Sequence, residues 1–267
     1  MVRMWMCKPG DGPDVSAGGA MTVNLWTVLL AAMLTALATG VGALPCRWVR
    51  QVDRWWLGVS TALAGGLMLG AAHSLIAEGW NLNPLRTIGG MVLGLVFVVL
   101  ANQLAHRDGD YSVADLGHAN ARRALVILGV MTAHSFAEGV GVGVSFGGRE
   151  TLGFFITSAI AVHNIPEGLA ISLVLVPRGT KVWKAAAWSI FTSLPQPLMA
   201  VPAYVFVLAF RPLLPIGLGL AAGAMVWMVL AELVPDALEN TTAASTGFAA
   251  TLAFVVILAF QHFVLQF

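Results

Sequence analysis

The chain has 267 residues, 58% of them hydrophobic and only 10% charged, with a formal net charge of +1. A water-soluble domain carries about 25% charged residues, so this composition excludes an ordinary soluble globule. The near-neutral balance, with no basic run longer than two residues, gives no sign of a nucleic-acid partner. A mean hydropathy of +0.83 points to an all-α integral membrane protein whose solvent is the lipid bilayer. The two cysteines, Cys7 and Cys46, lie far apart and in no CxxC, so neither a disulfide framework nor a cysteine metal site is indicated.

A helix that spans a bilayer needs about 20 apolar residues. Eight stretches reach that length: 22–44, 57–79, 88–106, 124–147, 151–176, 182–209, 212–236 and 244–265. Residues 1–21 form a polar tail that begins MVRMWMCKPGDGPD. It is not the short basic region of a signal peptide, and the stretch after it is too long for one. Residues 22–267 are therefore expected to form one eight-helix transmembrane domain.

Taken in chain order, the second span carries Met68 at its centre, with His73 and Glu78 in its outer half. The loop after the third span holds His106, Asp108, Asp110, Asp115 and His118, and it reads as a solvated loop. The fourth span contains HSFAEG, residues 134–139, and the fifth contains HNIPEG, residues 163–168. In the sixth, Gln196 lies within SLPQPL, flanked by Pro195 and Pro197. Glu232, Asp236 and Glu239 stand where the seventh span leaves the membrane. Glu232 lies about a turn inside, which suits an exit path. GLMLGAAHSLIAE in span two and GAMVWMVLAELVP in span seven share a Gly-x-Met. Two spans intervene between spans 1–3 and 6–8, so these triplets run in opposite directions, as in an inverted-topology repeat.

Orientation follows from the lysines and arginines of the loops. With the N-terminus outside, nine face inward: Arg47, Arg50, Arg54, Arg107, Arg122, Arg123, Arg178, Lys181 and Lys184. Five face outward: Arg3, Lys8, Arg86, Arg149 and Arg211. Both termini are therefore expected outside, for a multi-pass protein of the cell (inner) membrane. Trp48, Trp55, Trp56, Trp80 and Trp183 fall at span ends, where indoles anchor at the interface.

The motif His-x-x-x-Glu-Gly occurs twice, 29 residues apart. On a helix, positions i and i+4 share a face, so His134 pairs with Glu138 and His163 with Glu167. At about 1.5 Å rise per residue, all four originate near the bilayer midplane. Packed helices lie about 8–10 Å apart, so facing stripes can converge on one ion. A glutamate at mid-membrane costs about 2.5–3.5 kcal/mol. Two of them with neutral histidines make a site of charge −2, which one divalent cation neutralises. Pro166 removes the N–H that would bond the Val162 carbonyl and tends to kink the helix. Gly139 and Gly143 form a G-x-x-x-G suited to close helix packing.

These residues resemble the ZIP (Zrt/Irt-like) family of divalent metal transporters, closest to its GufA-like branch. The resemblance rests on AHSFAEG and VHNIPEGLAIS, supported by LMLGAAHSL, SLPQPLMA and AGAMVWMVLAELVPDA, and covers about residues 60–240. It implies a 3+2+3 arrangement of eight helices and uptake of Zn²⁺, or of Fe²⁺, Mn²⁺ or Cd²⁺, into the cytoplasm. The metal is then substrate, and no cofactor is implied. The transport site would be His134, Glu138, His163 and Glu167, with Met68 nearby. Relatives often bind a second ion through position 135, Asn164, position 196 and the two shared glutamates. Here Ser135 stands where Asn is usual and Gln196 where many relatives have Glu, which favours a single ion. His73, Glu78, Glu232 and Asp236 are candidate path residues. An intramembrane metal-dependent hydrolase and a proton or monovalent-cation channel are the competing classes. A hydrolytic zinc site commonly has three protein ligands and an open position, whereas two His and two Glu can fill a tetrahedral ion. The sequence leaves monomer and homodimer open.

Overall fold

The computed structural model describes residues 23–48, 53–105, 121–176 and 179–265. The polar tail, Arg50 and the His106–His118 loop lie outside the described residues. Every described element is helical, and ten α-helices account for eight long spans. α1 is Leu25–Val41, α2 Arg54–Leu82, α3 Pro84–Ala105, α4 Ala121–Gly148 and α5 Glu150–Leu175. The sixth span is two helices, α6 Val182–Ser193 and α7 Pro195–Ala209. The seventh joins α8 Leu214–Met228 to α9 Val234–Asn240 through a π-helical turn, Val229–Leu233, and α10 is Ala243–Leu265. Among the described residues, seven of these spans are long and apolar enough to cross a membrane. The remaining one is α4, 28 residues long. The chain is a multi-pass membrane protein.

Local chemistry sets the ends. Asn24 and Asp53 cap α1 and α2, each side-chain oxygen accepting the N–H two residues on at 3.2 Å. Pro84 opens α3 where a missing N–H is harmless, and Asn83 Oδ1 accepts the Arg86 N–H at 3.0 Å. Arg149 alone, in extended conformation, separates α4 from α5, so the two motif helices are necessarily antiparallel. α5 runs unbroken through Pro166. In the sixth span the expected single helix is instead broken at Leu194. Pro195 has no N–H for the helical ladder, and Leu194 N–H turns back to the Phe191 carbonyl at 3.3 Å.

The spans pair as α3 with α8, α2 with α10, α1 with α5, α4 with α7, and α2 with α8. Exchanging span 1 with 6, 2 with 7, 3 with 8 and 4 with 5 maps these pairs onto one another. Glycines let the backbones meet. A Cβ on Gly90 or Gly94 of α3 would run into the carbonyl oxygens of Ile216 or Leu220. One on Gly219 or Gly223 of α8 would run into those of Thr87 or Met91. The Gly-x-Met echo has the same cause on both sides: Gly66 abuts α10 at the Ala250 carbonyl as Gly223 abuts α3, and Met68 and Met225 are both fully buried. The outward rows, such as Leu30, Leu34 and Leu37 of α1, are exposed apolar side chains, as lipid-facing helices require.

Candidate metal site

The glycine that ends each motif places the cluster. A Cβ on Gly139 would lie 2.5 Å from the Gln196 carbonyl oxygen, and one on Gly168 would overlap the Thr39 carbonyl. Each motif helix therefore packs backbone-close against another span, α4 on α7 and α5 on α1. Gly139 and Gly143 both meet α7 carbonyls, so the G-x-x-x-G is a packing device.

Glu138 is the hub. Its residue is fully buried; Oε1 lies 2.6 Å from His163 Nε2 and 3.5 Å from His134 Nε2, and Oε2 accepts from Gln196 Nε2 at 2.5 Å. His163 Nδ1 is 3.1 Å from the Ala159 carbonyl. A carbonyl only accepts, so Nδ1 donates there and the ring's other nitrogen faces the cluster. That arrangement, one ring N–H given to a carbonyl, is the usual outer support of a metal-ligating histidine.

Glu167 is different. Both its carboxylate oxygens are buried with no hydrogen-bond partner, as are Asn164 Oδ1 and Ser135 Oγ. Unsatisfied buried oxygens are costly, and these four belong to the two motifs. Three of the four are acceptors only and the fourth is a hydroxyl, a donor-poor set of oxygens whose chemistry suits a cation. Among the described residues, no three His, Cys, Asp or Glu side chains are already arranged as a metal-binding group. Here His134 and His163 point at one glutamate oxygen rather than sharing a common centre.

The remaining expected residues fall as follows. Asn164 and Gln196 are fully buried and bonded to each other, Asn164 Nδ2 donating to Gln196 Oε1 at 3.2 Å. Met68 is fully buried on α2, in the same core as Ala137 and Met225. Glu232 sits on the π turn of the seventh span, with Oε2 3.8 Å from His134 Nδ1. Glu232 and His134 share a narrow cleft that Phe97, Asn102 and Met228 also line. A π turn inserts one residue into the ladder and often marks a functional position. Asp236 accepts from Thr61 Oγ1 at 3.3 Å on α9. Glu78 pairs with Arg149 at the α4–α5 turn. His73 is not brought to this cluster: it is exposed on α2, edge-on to Phe254 of α10.

One contributor was absent from the expectations. Thr35 of α1 is fully buried and donates to Gln196 Oε1 at 2.5 Å, while its carbonyl accepts from Asn164 Nδ2 at 2.9 Å. Thr39, one turn on, lies 2.8 Å from Ser193 Oγ. The only sequence signal was the i, i+4 spacing of Thr35 and Thr39, two of the three threonines in an otherwise apolar helix.

Comparison with known proteins supplies the family. Residues 102–261 match the family profile described as ZIP zinc transporter. A protein of Arabidopsis thaliana described as a candidate zinc transporter is 44% identical over 234 residues, which cover 86% of this chain but 38% of that longer protein. The zinc transporter GufA of Myxococcus xanthus is 30% identical over 84% of this chain and 96% of its own length. The zinc transporter ZIPB of Bordetella bronchiseptica is 31% identical, with 90% and 82% covered. With a matched profile that spans both motif helices and relatives aligned over nearly their full length, the chain belongs to the ZIP family.

Proposed function

We propose that this protein carries divalent transition-metal ions, Zn²⁺ first among them, across the membrane through His134, Glu138, His163 and Glu167. The observation that carries the reading is the set of buried oxygens without donors on Glu167, Asn164 and Ser135, beside a glutamate already flanked by two imidazoles. The family and the relatives named as zinc transporters support it, and they lend nothing to a hydrolase. The ion is substrate and needs no cofactor.

We further propose a single bound ion. Gln196 presents N–H to Glu138 Oε2, and a donor there repels a cation. Two divalent ions against the charge of Glu138 and Glu167 would leave about +2 in a low-dielectric site. Met68 stands as a neighbour of the site. Glu232, beside His134, is the first carboxylate on the proposed exit path, with Asp236 beyond it; Glu78 marks the outer side. The exchange pattern of helix pairs supports a 3+2+3 inverted repeat. The exposed apolar rows are surface for lipid or for a second copy.

The test is Zn²⁺ influx into liposomes holding the purified protein, with elemental analysis of bound metal. Saturable influx with about one Zn²⁺ per chain is expected. Two fully occupied ions would overturn the single-ion reading, and absent flux would overturn transport.

We place both termini outside in the cell membrane, on the nine-to-five asymmetry of Lys and Arg. In a chain whose Cys7 and Cys46 are replaced by serine, a Lys181→Cys variant in sealed cells is expected to resist an impermeant thiol reagent, whereas Arg149→Cys reacts. Labelling of position 181 from outside would invert the topology.

A further inference from the structure

We propose that Thr35 of α1 is a positioning residue for the metal cluster: together with Asn164 it fixes the Gln196 amide so that its NH₂ holds Glu138. The proposal rests on the metal-transport reading above. Thr35, Asn164, Gln196 and Glu138 are all fully buried. Gln196 Oε1 receives two donors, Thr35 Oγ1 at 2.5 Å and Asn164 Nδ2 at 3.2 Å. Its Nε2 is then left to donate to Glu138 Oε2 at 2.5 Å. Turning the amide over would set Oε1 against the carboxylate and NH₂ against the NH₂ of Asn164. Both contacts would be repulsive, and low dielectric strengthens them.

A threonine within a helix ordinarily returns its hydroxyl to a carbonyl of the preceding turn. That option is open here, since Ala32 O is 2.7 Å from Thr35 Oγ1, yet the hydroxyl also reaches across to span six. Its single proton is the only direct side-chain donor that α1 offers the cluster among the described residues. The consequence runs to two ligand oxygens. Glu138 Oε2 is tied to a neutral donor, so Oε1 alone is presented to His163 and His134. Asn164 is held by the Thr35 carbonyl and Gln196 through Nδ2, which leaves Oδ1 without a partner. Thr35 thus acts through Gln196 and does not itself touch the ion.

The experiment measures Zn²⁺ affinity of the purified protein by titration against a fluorescent chelator, together with KM for influx into liposomes. Thr35→Val removes the hydroxyl at nearly constant shape and is expected to weaken Zn²⁺ binding about three- to tenfold, the scale of one buried hydrogen bond. Thr35→Ser should restore it. In a Gln196→Leu background, Thr35→Val should change affinity by less than about twofold, because contacts in one network are not additive. Equal losses in both backgrounds would show that Thr35 only packs, and no loss in either would overturn the proposal outright. If Thr35→Val does not fold, Thr35→Ala removes the same hydroxyl and is read in the same way. Wild-type protein that binds no Zn²⁺ would fell the transport reading and this one together. Zn²⁺ binding that requires Glu138, with additive Thr35 effects, would fell the positioning role alone.

Discussion

Glu138→Gln or Glu167→Gln is expected to abolish measurable Zn²⁺ flux. Either change leaves one negative charge against a divalent ion in a buried site. Breaking one member of a buried charge set costs about 3–5 kcal/mol, more than about 100-fold in Kd. The two variants should differ in how they fail. Glu138 holds His163, His134 and Gln196, so its replacement also loosens those partners and lowers thermal stability. Glu167 has no hydrogen-bond partner to lose, so Glu167→Gln should bind no metal yet remain as stable as wild type or more so. His134→Ala and His163→Ala should bind more weakly without losing charge balance, by at least about tenfold each, since loss of even an outer support of a metal ligand costs about 10–100-fold. Liposome flux and thermal unfolding in detergent check the set. Full flux in Glu167→Gln would remove that residue from the transport site.

Gly168→Ala should be nearly as damaging as loss of its neighbour Glu167, although it adds one methyl group. The new Cβ would overlap the Thr39 carbonyl oxygen, with the carbonyl carbon only 2.6 Å away. Both partners are helix backbone and neither can rotate aside, so α5 must withdraw from α1. Overpacking typically costs about 1–3 kcal/mol. The displacement also moves Glu167 and Asn164, which sit beside the contact. Low yield, a lowered Tm and weak flux are expected together. Gly89→Ala is the internal control. It is likewise a mid-helix glycine, but nothing lies within 4 Å of its added Cβ, and alanine favours helix by about 0.8–1 kcal/mol. That variant should be as stable as wild type or slightly more so. A Gly168→Ala protein with unaltered Tm would mean that α1 and α5 are not in backbone contact.

The spans, their order and the pairing of His and Glu on each motif face were legible in the sequence because each depends on local periodicity. A run of about 20 apolar residues must be helical in lipid, where the backbone has no other partner. His-x-x-x-Glu fixes two side chains on one helical face wherever that helix goes. Pro195 and Pro197 were visible beside Gln196, though the break at Leu194 in place of one continuous span follows from how the ladder closes before Pro195. Lateral neighbours were another matter. Lipid tails are as apolar as leucine, so an outward row does not say which helix it will meet. Small residues announce close approach without naming the partner. Only the tertiary structure sets Gly168 against Thr39 and Gly139 against Gln196. Those two approaches bring Thr35 within reach of a glutamine 161 positions away in the chain. They also separate two glutamates that the motif makes equivalent. Glu138 falls where α7 supplies Gln196 as a donor, and Glu167 falls where no neighbour supplies one.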